Sequence, residues 1–275
     1  MPVTGPTVVR RQLGRRLRKL REAAGRTEID VENAQLASRT KVWRIETGKV
    51  PVKVPDIWAL CRFYGVPQEE TDSLASLASA TSEQGWWEDH AGVVPTWFKL
   101  YVGMEGVASG IHIYEGGVVP GEVQTADYAR ALWRAAWPDL DDQAIEPNVA
   151  VRLNRQRALL GRTPPPQISI LVGEGALARQ VGGAAVMEAQ IAHLREVDQL
   201  DHIEIKVLTF ASGAHPGLTG AFRVLDFDDP EDPNVVYIEA QVGGRYLEKP
   251  AELAEYRRML GIMNKQAVPL GEYPS

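Results

Sequence analysis

The chain is poor in most of the features that would commit it to a specialised class. It has one cysteine, Cys61, in 275 residues, which excludes an internal disulfide and a cysteine-rich metal site and points to a reducing compartment. No apolar run approaches the ~20 residues needed to cross a bilayer. The opening MPVTGPT lacks the charge and the apolar stretch of a secretory signal, so a cytoplasmic location is expected. There is no repeat with a period of ~20–50 residues. Aromatic residues make up only 7%, yet five of the seven tryptophans lie between Trp86 and Trp137, which gives the middle of the chain a core or face of its own. Catalytic signatures are missing too: no Walker A sequence, no G-x-S-x-G elbow and no H-E-x-x-H. Gly173-Glu174-Gly175 lacks the third glycine of a dinucleotide fingerprint. His90, His112, His193, His202 and His215 show neither i, i+4 pairing nor short metal-ligand spacing. No catalytic residue, metal or cofactor is expected, and the chain does not read as an enzyme.

What is present is ordinary in bulk and uneven in placement. Forty-four per cent apolar and 24% charged residues suit a soluble globular protein, and the length suits two domains. Residues 1–65 carry 14 Lys and Arg against 6 Asp and Glu, leaving 16 against 30 for the rest. A compact basic segment is a footprint for a polyanion, which the acidic remainder would repel.

Within the basic segment, Leu13, Leu17 and Leu20 fall on one face of a helix over about residues 10–24. The other faces carry Arg10, Arg11, Arg15, Arg16, Arg18, Lys19 and Arg21. Gly25 ends that helix. Thr27 is a good N-cap for a short second helix. Ser38 opens a third, with Val42 and Ile45 inward and Gly48 placed to break it. Two short helices joined by a tight turn match a helix-turn-helix, whose second helix puts its N-terminal residues into the major groove. The base-reading candidates on the helix 38–47 are Ser38, Arg39, Thr40 and Lys41, with Trp43 and Arg44 one turn on. Arg15, Arg16, Thr27, Lys49 and Lys53 are the phosphate candidates. Pro55 suits the first turn of a fourth helix lined by Ile57, Leu60, Cys61 and Tyr64, and a fifth is expected over residues 68–82.

Gly25-Arg26-Thr27 followed by Ser38-x-Thr40-Lys41-Val42-x-Arg44-Ile45-Glu46-Thr47-Gly48 resembles the helix-turn-helix of XRE-type (lambda-repressor-like) regulators. The pieces GWWEDH (85–90), YVGMEGVAS (101–109), VVPGEVQTADYARAL (118–132), VRLNRQRAL (151–159), VLTFASGAHPGLTGAF (207–222) and VVYIE (235–239) resemble the C-terminal domain of an actinobacterial group of these regulators, antitoxin-like or WhiJ-like. The resemblance implies a homodimer on a pseudo-palindromic operator of double-stranded DNA. It also implies a small acidic partner protein encoded nearby and a nucleoid-associated place in the cell. Three positions depart from the group. Glu32 and Gln35 stand where small and leucine residues usually pack between the paired helices, so both must lie at the rim or find a partner such as Arg44 or Lys41. Trp43 replaces a small polar residue, and either stacks on nucleic acid or packs near Trp58.

The acidic part alternates strands and helices. Strands are expected over residues 110–119, 167–172, 203–210, 221–226 and 235–240, with 244–248 a further candidate. Helices are expected over 97–109, 125–136, 147–160, 184–200 and 250–265. The fold expected is thus an all-α helix-turn-helix domain, residues 1–83, followed by an α/β or α+β domain with a mixed central sheet, residues 84–275. The loop from Ser212 to Gly217 is rich in small residues, which serve either close approach of a partner or unusual backbone angles. The four arginines of residues 151–162 form either a basic ridge or a solvated face. The function expected is a sequence-specific DNA-binding transcription regulator, its acidic domain mediating dimerisation and binding a partner or signal. The alternative is a small-molecule sensor or antitoxin-like interaction module with weak or lost DNA binding.

Overall fold

The computed structural model describes residues 5–81, 96–228, 233–240 and 243–274. They form two compact units, one from the described residues up to Met104 and the other from the bulk of the chain after it. The boundary expected near residues 82–86 lies outside the described residues, as do Glu88, Asp89 and His90.

The first unit is helical: α1 Gly5–Ala23, α2 Glu28–Asn33, α3 Arg39–Glu46, α4 Val54–Tyr64, α5 Gln68–Thr81 and α6 Thr96–Glu105. Helix α1 starts five residues before the expected position. Its apolar periodicity marks only the packed part, and once nucleated a helix extends at little cost. Leu13 and Leu17 are buried, and Val31, Val42, Leu60 and Tyr64 join helices α2, α3 and α4 in one core, with Leu20 and Leu36 packed against it. Gly25 (φ +64°) and Gly65 (φ +74°) end α1 and α4 in the left-handed region that glycine adopts freely. Cys61 is fully buried, and burial pushes its thiol up to about 11. It is an inert core residue, as its surroundings in sequence suggested.

The second unit is built on a seven-stranded mixed sheet: β1 Gly110–Glu115, β2 Gln167–Gly173, β3 Ile203–Leu208, β4 Phe222–Asp226, β5 Val235–Glu239, β6 Gly244–Leu247 and β7 Val268–Pro269. Spatial order is β6-β5-β4-β1-β2-β3-β7. Strands β1, β2 and β3 run parallel, and every other pairing is antiparallel. Crossovers between parallel strands need helices, supplied by α7 Ala126–Ala136 with α8 Asp142–Leu160, and by α9 Glu174–Ala178 with α10 Ala184–Val197. The last helix, α11 Pro250–Gln266, places Leu260 and Met263 in a core with Tyr114, Leu171, Leu208, Phe222, Val224 and Val236. Helix α8 begins before Pro147, where the sequence placed its start. Asp141 caps it by accepting from the Ala144 N–H at 2.9 Å, and Pro147 sits inside the helix.

Residues 118–125, one of the resembling pieces, are held as core. The Val119 N–H donates to Tyr128 Oη at 3.0 Å, and Gln156 Nε2 donates to the carbonyls of Gly121 (2.8 Å) and Gln124 (2.9 Å). Gln190 accepts from the Thr125 N–H at 2.7 Å and donates to the Val123 carbonyl at 2.8 Å. Glu122, 1% exposed, is gripped by Arg155 and, at 3.2 Å, by Arg223. Burial works against its charge, but the two guanidiniums hold the carboxyl well below the usual range. The readings of the four arginines as a basic ridge or a solvated face hold for Arg157 at most, since Arg152, Arg155 and Arg162 are partly buried. Arg155 also pairs with Glu105, Arg162 donates to the carbonyls of Glu105 and Ala108, and Arg152 has a buried Nε. Arg157 alone of the four is exposed. The small-residue loop answers to its own backbone: Gly213 has φ +72°, and a Cβ on Gly217 would overlap the Tyr114 ring and lie 2.7 Å from Met263 Sδ.

Candidate nucleic-acid interface

The helix-turn-helix is made by two caps and one left-handed turn. Thr27 caps α2 in a reciprocal box: its Oγ1 accepts from the Asp30 N–H (3.2 Å), and Asp30 Oδ2 accepts from the Thr27 N–H (2.7 Å). These hydrogen bonds hold the Asp30 carboxyl below its ordinary value. After α2 the chain reverses through Gln35 at φ +58°, with the Leu36 N–H donating to the Val31 carbonyl at 3.2 Å. Ser38 then caps α3 by accepting from the Lys41 N–H at 3.3 Å. The rotation so fixed turns Val42, Ile45 and Glu46 inward, and leaves Arg39, Thr40, Lys41, Trp43 and Arg44 exposed.

The hold on α3 from behind is tighter than its apolar residues alone provide. A Cβ on Gly14 would overlap the Ile45 carbonyl oxygen and stand 2.8 Å from that of Glu46, so α1 and α3 meet backbone to backbone. Gly48 (φ +66°) comes as close to α1, where an added Cβ would lie 2.8 Å from Arg11 Cα. Beside these contacts Arg21 makes a bidentate pair with Glu46, Nε to Oε1 at 2.7 Å and Nη2 to Oε2 at 2.8 Å, and its Nη1 donates to the Arg26 carbonyl at 3.0 Å. The side chains are 9% and 5% exposed. Hydrogen bonding to Glu46 outweighs desolvation and raises the Arg21 pKa further. This corrects the placement of Arg21 on an outer face. The signal was present: Leu13, Leu17 and Arg21 recur every four residues, as do Val42 and Glu46.

The expected cations fare differently. Arg39 and Arg44 are exposed, with no ion pair among the described residues. Lys41 is engaged: its Nζ lies 2.9 Å from Asp56 Oδ2 at the start of α4. Arg16 is paired with Glu70 of α5 at 2.7 Å. Lys49 sits over the Trp43 ring, 3.9 Å from its centroid. Lys53 is exposed at the N-terminus of α4 and Arg15 is half-buried on α1. The Thr27 hydroxyl serves its cap and also donates to Asp30 Oδ2 at 2.8 Å. Glu32 and Gln35 lie at the exposed rim, and Glu32 Oε1 accepts from the Arg39 N–H at 3.3 Å. Its partner is thus the first amide of α3, not the side chain of Arg44 or Lys41.

Among the described residues no group of three or more His, Cys, Asp or Glu could hold a metal ion. His112 pairs with Asp226 at 3.1 Å, far along the chain from the other histidines. No helix among the described residues is long and apolar enough to cross a membrane.

Two family models match the chain. A helix-turn-helix domain model matches residues 12–74, covering the caps, the turn and the exposed face of α3. A model described as a domain of unknown function, DUF5753, matches residues 98–272. No curated protein and no solved structure matches the chain. With its sheet-bearing unit matched over most of the chain's length, and a helix-turn-helix ahead of it, the protein belongs to the DUF5753 family.

Proposed function

We propose that the protein is a sequence-specific DNA-binding transcription regulator in which α3 reads the major groove. The observation that carries this reading is the Ser38-capped helix, rigidly backed by α1, that leaves Arg39, Thr40, Lys41, Trp43 and Arg44 outward together. Arg39, Lys41 and Arg44 donate to guanine O6 and N7, and the Ser38 and Thr40 hydroxyls serve bases or phosphates. Arg15, Arg16, Thr27, Lys49 and Lys53 meet phosphates. The sheet-bearing unit mediates homodimerisation, giving a two-fold operator with half-sites about 10 bp apart. It also receives the regulating signal or a small acidic partner, as the antitoxin-like, WhiJ-like resemblance implies. The protein works in the cytoplasm, on the nucleoid, and no reaction is assigned to it.

The test is sequencing of genomic fragments retained by the full-length protein at ~150 mM salt, where non-specific binding is weak. A small set sharing a two-fold motif is expected, and uniform recovery or none refutes the reading. With the operator known, Arg39→Ala should cost ~1–3 kcal/mol on it and much less on random DNA, whereas Lys53→Ala should weaken both alike. The ion pairs at Lys41 and Arg16 favour one second reading, an interaction module with weakened DNA binding. A folded protein with no salt-sensitive DNA affinity would support it.

A further inference from the structure

Two of the groups that α3 offers to DNA are already held by carboxylates of the same unit. Asp56 Oδ2 takes the Lys41 ammonium at 2.9 Å, and Glu32 Oε1 takes the Arg39 N–H at 3.3 Å. Neither arrangement is forced by burial. The Lys41 and Asp56 side chains are 45% and 26% exposed, and Glu32 is exposed. Nor does either acid hold the unit's core together, a role filled by Val31, Val42, Leu60, Tyr64 and the Arg21–Glu46 pair. Both carboxylates flank the first turn of α3, where amide N–H groups and the helix dipole attract anions.

Resting on the DNA-binding reading, we infer that Asp56 and Glu32 act as built-in competitors of DNA that lower its affinity. On any duplex, Lys41 must leave Asp56 to reach a base or a phosphate, and the uncovered carboxylate then faces the polyanion. On the right sequence the base contact of Lys41 offsets this exchange. On other sequences only a phosphate is on offer, Lys41 stays with Asp56, and one cation is withheld from the duplex. Glu32 does the same at the Arg39 amide, where a phosphate would otherwise sit. The net effect is a lower affinity for all DNA, set by the unit's own carboxylates rather than by the sequence it meets.

The experiment compares the full-length protein with Asp56→Asn, Glu32→Gln and the double variant, on random-sequence duplex and on an operator-containing fragment, across salt concentrations. Each replacement keeps the shape and an acceptor oxygen while removing the charge, and thermal denaturation checks that each variant is folded. Asp56→Asn frees one cation, so the slope of log affinity against log salt on random duplex should steepen by about 0.9, and affinity at ~150 mM salt should rise roughly 3–10-fold. Operator affinity should rise at least as much, because there the base contact of Lys41 no longer gives up the Asp56 pair. In a Lys41→Ala background the same substitution should leave the slope unchanged. Glu32→Gln should tighten random-duplex binding independently, and the double variant should combine the two gains.

Unchanged slope and affinity in both variants, with the parent protein still binding DNA, overturns the competitor role and leaves the DNA-binding reading standing. A selective loss of operator affinity in Asp56→Asn overturns it in the opposite sense, making Asp56 an aid that orients Lys41. If neither parent nor variants bind any duplex, the DNA-binding reading itself fails and this inference with it. Binding that appears only in the variants supports the competitor role in its strongest form.

Discussion

Replacing Glu46 by Gln is the sharpest probe of how the reading helix is held. The substitution keeps the volume and one acceptor but removes the charge that faces a guanidinium 9% exposed. Arg21 would keep its bond to the Arg26 carbonyl and a distant Glu22 oxygen at 3.9 Å, itself on a half-exposed side chain. Removing one member of a buried pair typically costs ~3–5 kcal/mol because the other charge stays behind. The residual partners and the retained acceptor argue for the lower end, about 2–4 kcal/mol. Native-state amide exchange on the full chain, followed peptide by peptide, reads this locally and uses the sheet of the second unit as an internal control. A loss of 3 kcal/mol should speed exchange in α1 and α3 roughly 100-fold, with the sheet peptides unchanged. The companion double variant Arg21→Met/Glu46→Leu removes both charges and should return to within about 1 kcal/mol of the parent. A Glu46→Gln effect below about 0.5 kcal/mol, or a double variant as damaged as the sum of Arg21→Met and Glu46→Leu measured singly, would refute the assignment.

Three further outcomes can be checked by the same exchange measurement or by denaturation. Gln35→Gly should stabilise the helical unit by about 0.5–1 kcal/mol, since a left-handed non-glycine costs ~1–2 kcal/mol and the extra freedom of unfolded glycine takes part of that back; a loss of stability would contradict the φ of +58° at Gln35. Gly14→Ala should destabilise by at least ~1–3 kcal/mol, because the added methyl meets backbone that no rotamer change can move; tolerance would show that α1 and α3 are further apart. The Glu122 carboxyl is depressed in the fold, so its contribution is full above about pH 4–5 and is lost as pH falls through the folded value. Glu122→Gln should therefore destabilise the second unit near neutrality and flatten its acid-induced loss of stability, and an unchanged acid limb would speak against the Arg155–Glu122–Arg223 cluster.

Local chemistry made much of the helical unit legible. Thr27 and Ser38 cap where their hydroxyls predict, Gly25 and Gly48 take left-handed angles, and Val42 and Ile45 face inward at helical spacing. Contacts between distant parts were not legible. The pairing of Arg21 with Glu46 spans 25 residues, and a charged residue in an apolar stripe reads locally as a surface one. The capture of Lys41 by Asp56 likewise depends on how α3 crosses α4. In the sheet-bearing unit, alternation located six strands, although the expected stretches ran past β1 and β3 into glycine-rich and 3-10 turns. Strand β7 is two residues long, too short to carry a period. The order that places β4 beside β1 follows from pairings across more than a hundred residues, which no local pattern encodes. Residues 118–125 carry no period that shows their role; the buried Gln124 and Glu122 within the segment, and Gln156 and Gln190 packed on it, show it to be structural.

The glycine contact behind α3 has a mechanical consequence. Where side chains separate two helices, a shift of about an ångström can be absorbed by rotamers, but carbonyl oxygens resting against Cα atoms leave no such slack. Helices α1 and α3 therefore move as one stiff body. On the proposed function, a regulating signal would find no means of tilting α3 within its unit. Adjustment to imperfect sites must then come from the DNA, whose bending stiffness varies with sequence, so base pairs that the protein never touches should weigh on which sites it occupies.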